Sequence, residues 1–206
     1  MRTPLDILYN FYWVVPGEIA RSSQAYIGFL KPLLRERGIR GVVNLRGAKP
    51  GWRWWNYETR VCAELRITHR DVRFNSRRLP SRFILLDMLN AFDEAPRPFL
   101  VKCSGGQDRT SFASALYLLH TREWDAREHA EAQFARWPYL HFPKRQQRWL
   151  RAFLRFTEER GGRSLRDWIS QDYTPEDFKT WLESRGLGDA FRGIRVAGET
   201  TRGDAE

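Results

Sequence analysis

One stretch limits what this chain can fold into more than any other. It is Phe99-Leu100-Val101-Lys102-Cys103-Ser104-Gly105-Gly106-Gln107-Asp108-Arg109-Thr110, continued by the apolar run Ser111 to Leu119. An apolar triplet, Phe99 to Val101, two adjacent glycines and a second apolar run predict a short buried strand, a tight loop and a helix starting near Arg109. The loop opens on a cysteine and closes on an arginine followed by a hydroxyl residue, a C-x5-R-T pattern. Each residue type suits the holding of a phosphoryl group. Gly105 and Gly106 are able to take φ > 0, which lets successive N–H groups face one concavity. The helix start adds unpaired N–H donors and the positive end of a dipole. Arg109 offers a planar fork that grips two phosphate oxygens at once. Cys103, in that positive field, is expected to titrate below a free thiol and to serve as a nucleophile. A cysteine at a strand end, taken alone, also fits plain packing. The full pattern favours an anion-binding catalytic loop, with Ser104, Gly105, Gly106, Gln107, Asp108, Arg109 and Thr110 around the phosphate.

These residues resemble the signature loop of the cysteine-dependent protein tyrosine and dual-specificity phosphatases. The Asp-Arg-Thr ending is similar to that of bacterial dual-specificity-like enzymes and of the lipid-directed myotubularin branch. Upstream, Val15-Pro16-Gly17-Glu18-Ile19-Ala20-Arg21-Ser22-Ser23-Gln24 resembles the entry motif of the bacterial enzymes, and Gly41-Val42-Val43-Asn44-Leu45-Arg46-Gly47 resembles their second strand. The likeness spans about residues 11–120 and departs at one position, where Lys102 replaces the family's usual His before the cysteine. It implies a phosphomonoesterase working through a phosphocysteine, with no metal and no cofactor. It also implies a general acid, usually an Asp on the loop after the preceding strand. Here that loop, Asn75 to Pro80, has no carboxylate. Two carboxylate candidates remain: Asp71, inside the preceding strand, and Asp108, beside Arg109 in the loop, where the myotubularin branch is thought to carry its acid; the third reading is that water or the substrate serves. Asp108 also fits a structural partner for loop N–H groups. Thr110 fits a hydroxyl donor to the Cys103 sulfur or a first-turn helix residue. Arg21, Ser22 and Gln24 read as scaffold, Arg46 as a surface ion pair more than a pocket residue, and Cys62 as core more than a resolving thiol.

Around the loop, strands alternate with helices. Residues 12–27 read as extended with a turn at Pro16-Gly17, Gly28 to Arg37 as a helix, and Ile39 to Leu45 as an apolar strand. Gly47 to Asn56 reads as a loop, Tyr57 to Leu65 as a helix, and Ile67 to Phe74 as a strand. Ser81 caps a helix to Glu94. The fold class is therefore α/β, a mostly parallel sheet flanked by helices, with the ligand at the carboxyl ends of the strands. Beyond His120 the chain reads as helical. Asp125 caps a helix to Arg136, and Pro143 opens one to Arg160 that Gly161-Gly162 ends. Shorter helices follow at Ser164 to Ser170 and Thr174 to Ser184, then a polar tail from Gly186. The organisation expected is a phosphatase-like domain over 1–160 and a helical extension with a tail over 161–206.

Composition narrows the partners. Lys and Arg number 35 against 25 Asp and Glu, a net charge of +10, which favours multiply phosphorylated proteins, lipids or inositol phosphates as substrates. Trp52-Arg53-Trp54-Trp55 with Arg77-Arg78 fits three readings: sheet-edge packing, a peripheral contact with an anionic membrane, or base stacking. No nucleic-acid motif accompanies the charge, so nucleic acid is not the expected partner. Two cysteines make no disulfide framework, so a reducing, cytoplasmic setting is expected. No apolar run is long enough to span a bilayer, and Asp6 and Asn10 spoil a signal peptide. Rival classes are a phosphate-binding pseudophosphatase without turnover and a rhodanese-like sulfurtransferase. The Arg-Thr ending argues against the second.

Overall fold

A computed structural model describes residues 3–160 and 164–187. Its sheet has five strands: β1 (Tyr12–Val15), β2 (Ile19–Ser22), β3 (Gly41–Asn44), β4 (Thr68–Asp71) and β5 (Phe99–Lys102). They lie in the order β1-β2-β5-β3-β4, so the signature strand is central. β1 pairs antiparallel with β2 across the Pro16-Gly17 turn, and every other pair is parallel. The mostly parallel sheet expected from the sequence is the one found.

Alternation along the strands sorts their side chains into two apolar layers. Ile19, Val43, Phe99 and Val101 face one layer, while Ala20, Val42 and Leu100 face the other. Over the second layer lie α2 (Leu30–Glu36) and α3 (Arg53–Glu64), joined by Tyr9 from the turn after α1 (Pro4–Leu8). The first layer holds α4 (Arg82–Glu94), α5 (Asp108–Arg122), α6 (Arg127–Ala132), α7 (Trp149–Arg160), α8 (Leu165–Gln171) and α9 (Pro175–Ser184). Every residue of α5 from Thr110 to Leu119 is buried, so it is the central helix of that layer rather than an amphipathic cover. Aromatic contacts tie α8 and α9 to α7: Phe156 lies 5.6 Å from Trp168 of α8 and 4.8 Å from Phe178 of α9, ring centre to ring centre.

Ser81 and Thr174 cap their helices as expected, and Ser164 caps α8: each accepts from the backbone N–H three residues on. Elsewhere the boundaries move. α3 begins at Arg53, not Tyr57, because the chain turns at Gly51 (φ +87°) and is helical directly afterwards. The Trp-Arg-Trp-Trp cluster is therefore mostly a first helical turn rather than a loop. Asp125 caps nothing. It sits in a 3-10 turn, Glu123–Ala126, and α6 starts on Ala126 without a side-chain cap. Pro143 opens no long helix. The chain first makes a 3-10 turn at Arg145–Gln147, where the Gln147 side chain accepts from the Lys144 N–H, and α7 follows from Trp149. Gly161-Gly162 and most of the tail fall outside the described residues.

Candidate active site

The loop leaves the central strand at its carboxyl end, between the ends of β2 and β3, whose Ser22 and Asn44 both stand level with Lys102. Its shape is imposed from outside through its carbonyls. Ser104 O accepts from Gln24 N at 3.0 Å, and Gly106 O accepts from Asn10 Nδ2 at 3.0 Å. Arg21, fully buried, reaches Gly106 O (3.0 Å), Gln107 O (3.4 Å) and Ser111 Oγ (2.9 Å). Its other nitrogen donates to Gln133 O and Oε1, and its plane lies 4.2 Å from the Tyr139 ring. Burial pulls the Arg21 pKa down to about 10, which leaves it charged at neutral pH. With the carbonyls held outward, the N–H groups turn inward.

Only one of the two glycines needs its freedom. Gly106 has φ +64°, and a Cβ there would stand 2.5 Å from Ser23 N. Gly105 is not at positive φ, and a Cβ on it would meet nothing closer than 3.6 Å. The close approach of the loop to β2 selects glycine at 106 alone.

Cys103 is 3% exposed, at the floor of the loop. Burial by itself pushes the thiol up, but the Arg109 guanidinium and the N–H groups of Gln107, Thr110 and Gly106 together outweigh it and bring it below its ordinary value. Arg109 is anchored to Ser104 Oγ (3.0 Å) and Leu45 O (3.3 Å). The Thr110 hydroxyl donates to Gln107 O at 3.0 Å and stands 3.9 Å from Sγ. Alkylation of Cys103 should therefore show a midpoint below the free value of about 8.5. Arg109→Ala should move that midpoint up, and inorganic phosphate should protect the thiol. A midpoint at the free value, indifferent to phosphate and to Arg109, would put the positive field elsewhere.

Cys62 contrasts with this. It is packed in the layer on the other face of the sheet, where burial raises its thiol to about 12. Nothing places it against Cys103, which belongs to the first layer.

A cavity of about 610 Å³ opens above the loop. Asp108 lines it; Asp71 does not. Asp71 ends β4 with its carboxylate taken by Asn44 Nδ2 (2.6 Å) and Trp55 Nε1 (3.0 Å). Arg46, read from sequence as a surface ion pair, is instead in the wall, stacked 3.6 Å from the Trp54 ring and bonded to Gln24 Oε1. Trp52 is exposed on the same wall, and Trp55 packs at the sheet edge.

The family model described as Swiss Army Knife protein, DSP-PTPase phosphatase domain (PTP-SAK), matches residues 8–158. The chain belongs to this family. It is thus a cysteine-dependent phosphatase of the dual-specificity type, and no curated protein matches it. Among solved structures, the phosphatase is similar to P. aeruginosa TpbA, a cysteine-to-serine variant in complex with pTyr. The identity is 18%, covering 83% of this chain and 99% of that one, with TM-score 0.56. A mutant form of Tk-PTP matches at 18% identity over 73% and 97% of the two chains, with TM-score 0.57. PTPMT1 matches at 14% over 73% and 97%, with TM-score 0.52. These likenesses show the fold.

Several residues that build the phosphatase's site have no local sequence signal. Asn10, Gln133 and Tyr139 brace the loop from distant segments. Gln147 donates 2.8 Å to Asp108 Oδ2 and 3.0 Å to Ser76 Oγ. Arg73, Phe142 and Lys144 complete the cavity wall. Glu58 did leave a trace: a lysine in a fully buried strand requires a buried carboxylate, and Glu58 meets Lys102 Nζ.

Proposed function

We propose that this phosphatase hydrolyses phosphomonoesters on multiply phosphorylated substrates through a phosphocysteine at Cys103. The inward-turned cup of loop N–H groups, with Sγ at its floor and Arg109 at its rim, carries the reading. In the first step the thiolate attacks phosphorus in line and the bond to the leaving oxygen breaks. The electron pair departs with that oxygen, which takes a proton from Asp108. The loop N–H groups and Arg109 hold the equatorial oxygens as charge builds. In the second step water attacks phosphorus, Asp108 takes its proton, and the S–P bond breaks to restore the thiolate and release phosphate. Asp108 is preferred as the acid because it lines the cavity, whereas the Asp71 carboxylate is spent on Asn44 and Trp55.

The substrate class rests on the walls. Arg46, Lys49, Arg73, Arg77 and Lys144 surround the mouth, and Asp108 is the sole carboxylate among the described lining residues. A substrate with phosphates beyond the scissile one fits that charge, as an inositol polyphosphate or phosphoinositide headgroup does. The walls also include Trp52 and Phe142, which suit an aryl phosphate. TpbA, solved with pTyr, supports phosphotyrosine as the second reading.

Acid quenching during turnover of a labelled aryl phosphate should trap label on the wild-type protein and none on Cys103→Ser. Arg73→Ala and Lys144→Ala should raise KM for an inositol polyphosphate on the order of tenfold while barely changing that for the aryl ester. Absence of trapped label would sink the phosphocysteine. Equal effects on both substrates would remove the rim from substrate binding.

A further inference from the structure

We propose that His141 is a positioning residue for Asp108, holding its carboxyl group in the orientation that delivers a proton to the leaving oxygen. This rests on Asp108 being the acid. His141 is 4% exposed, on the irregular stretch before α7. Its Nδ1 stands 3.2 Å from Phe134 O. A carbonyl only accepts, so Nδ1 carries a hydrogen and the tautomer is fixed. The ring edge packs against Phe134, 5.2 Å between centres.

The other ring nitrogen, Nε2, lies 3.4 Å from Asp108 Oδ1. Both atoms are buried, and neither has a hydrogen-bond partner. Buried polar atoms are rarely left unpaired. Two bare lone pairs facing each other would repel, so a single proton between Nε2 and Oδ1 satisfies both. A carboxyl group carries only one proton, so while Oδ2 is protonated the buried proton sits on Nε2. The other oxygen, Oδ2, accepts from Gln147 Nε2 at 2.8 Å. The carboxyl group is thus gripped at both oxygens, with Oδ2 left as the one to carry the transferable proton. No other anion competes for the imidazole. Among the described residues, Cys103 apart, every other charged group lining the cavity that His141 borders (Arg136, Arg148 and Arg151) and the one that Asp108 borders (Arg46, Lys49, Arg73, Arg77, Arg109 and Lys144) is a cation.

The chemistry balances without further reactants. The Oδ2 proton goes to the leaving oxygen in the first step and is replaced by one from water in the second, while the buried proton never leaves the pair.

The test is a leaving-group series, aryl to alkyl phosphates, read as kcat/KM. Wild type should depend weakly on the leaving group, and Asp108→Asn steeply, losing about 10²-fold at the alkyl end. His141→Phe keeps the buried ring without a donor or acceptor, and should also turn the dependence steep with KM little changed. His141→Gln, whose amide is able to donate to Oδ1, should restore a shallow dependence. Combining His141→Phe with Asp108→Asn should add no further steepness. A second readout needs no histidine variant: the ¹⁵N shift of His141 Nε2 should change in Asp108→Asn. A uniform loss across leaving groups in His141→Phe, or an Nε2 shift untouched by Asp108→Asn, overturns the role of His141 alone. A uniform loss in Asp108→Asn overturns the acid assignment and this inference with it.

Discussion

Cys103→Ser should lower phosphomonoester hydrolysis by about 10⁴-fold or more, with the fold intact. The serine hydroxyl has nearly the shape of the thiol but does not ionise near neutral pH, so the loop keeps its anion cup and loses its nucleophile. Arg109→Ala should cost about 10³-fold, because the guanidinium both lowers the thiol and grips the phosphoryl oxygens. Arg109→Lys should not rescue it, since an ammonium cannot reproduce the two-pronged contact with Ser104 Oγ and Leu45 O. Stability adds a check with a definite sign. The folded thiol titrates below its unfolded value, so the thiolate contributes stability that is present at high pH and lost as pH falls through the folded value. The stability difference between wild type and Cys103→Ser should therefore grow in favour of wild type as pH rises through that range. Turnover assays with circular dichroism and urea melts over pH 5 to 9 (a span of about four units) read all three effects. Unfolded Cys103→Ser would mean that the cysteine is packing; undiminished turnover would mean that another group attacks phosphorus.

Where sequence and structure agree, the determinants are local. The strand Phe99–Lys102, apolar up to its lysine, and the run into α5 need no distant partner to be read as strand and helix, and the loop between them is recognisable from its own glycine and arginine although Asn10, Arg21 and Gln24 set its shape. Gly105 shows the limit, because which glycine must be glycine depends on Ser22 and Ser23 arriving from β2. Trp52 to Trp55 looked irregular since aromatic and arginine residues carry no strong helix period. Their helical turn is fixed by Asp71 receiving Trp55 and by Arg46 lying on Trp54. Asp125 has a capping residue's chemistry, yet the 3-10 turn around it leaves no helix start to cap. His141 and Gln147 lie in a stretch with no periodicity, and only the folded chain brings them to Asp108. Asp71 shows the reverse: its position in sequence suits an acid, and only the fold shows its carboxylate hydrogen-bonded to Asn44 and Trp55.

Breaking the Lys102–Glu58 pair should cost about 3–5 kcal/mol for each single substitution. Lys102 is 2% exposed and Glu58 1%, with Nζ and Oε2 2.5 Å apart. Both faces of the pair are occupied. Gln24 accepts from Lys102 at 2.7 Å and donates to Glu58 at 2.7 Å, His69 meets the other carboxylate oxygen at 2.8 Å, and the Trp54 ring lies 4.9 Å from the ammonium. Burial pulls Lys102 below its ordinary value, opposed by Glu58. Burial would raise Glu58, but Lys102, His69 and Gln24 hold its carboxyl below the usual range. Glu58→Gln leaves an ammonium in an apolar layer with only neutral acceptors and a ring face. Lys102→Met leaves a carboxylate with only Gln24 and His69. Each single change strands a charge, whereas the double change Lys102→Met/Glu58→Leu strands none and should cost much less than the sum of the two. The effect should spread to the cavity, because Gln24 also receives Arg46 from the wall. Urea unfolding of the two singles and the double gives the coupling directly. Single losses below about 1 kcal/mol, adding simply in the double, would show a solvated surface-like pair. In that case the lysine before Cys103 would have to be explained by its charge near the thiolate instead of by its buried partner.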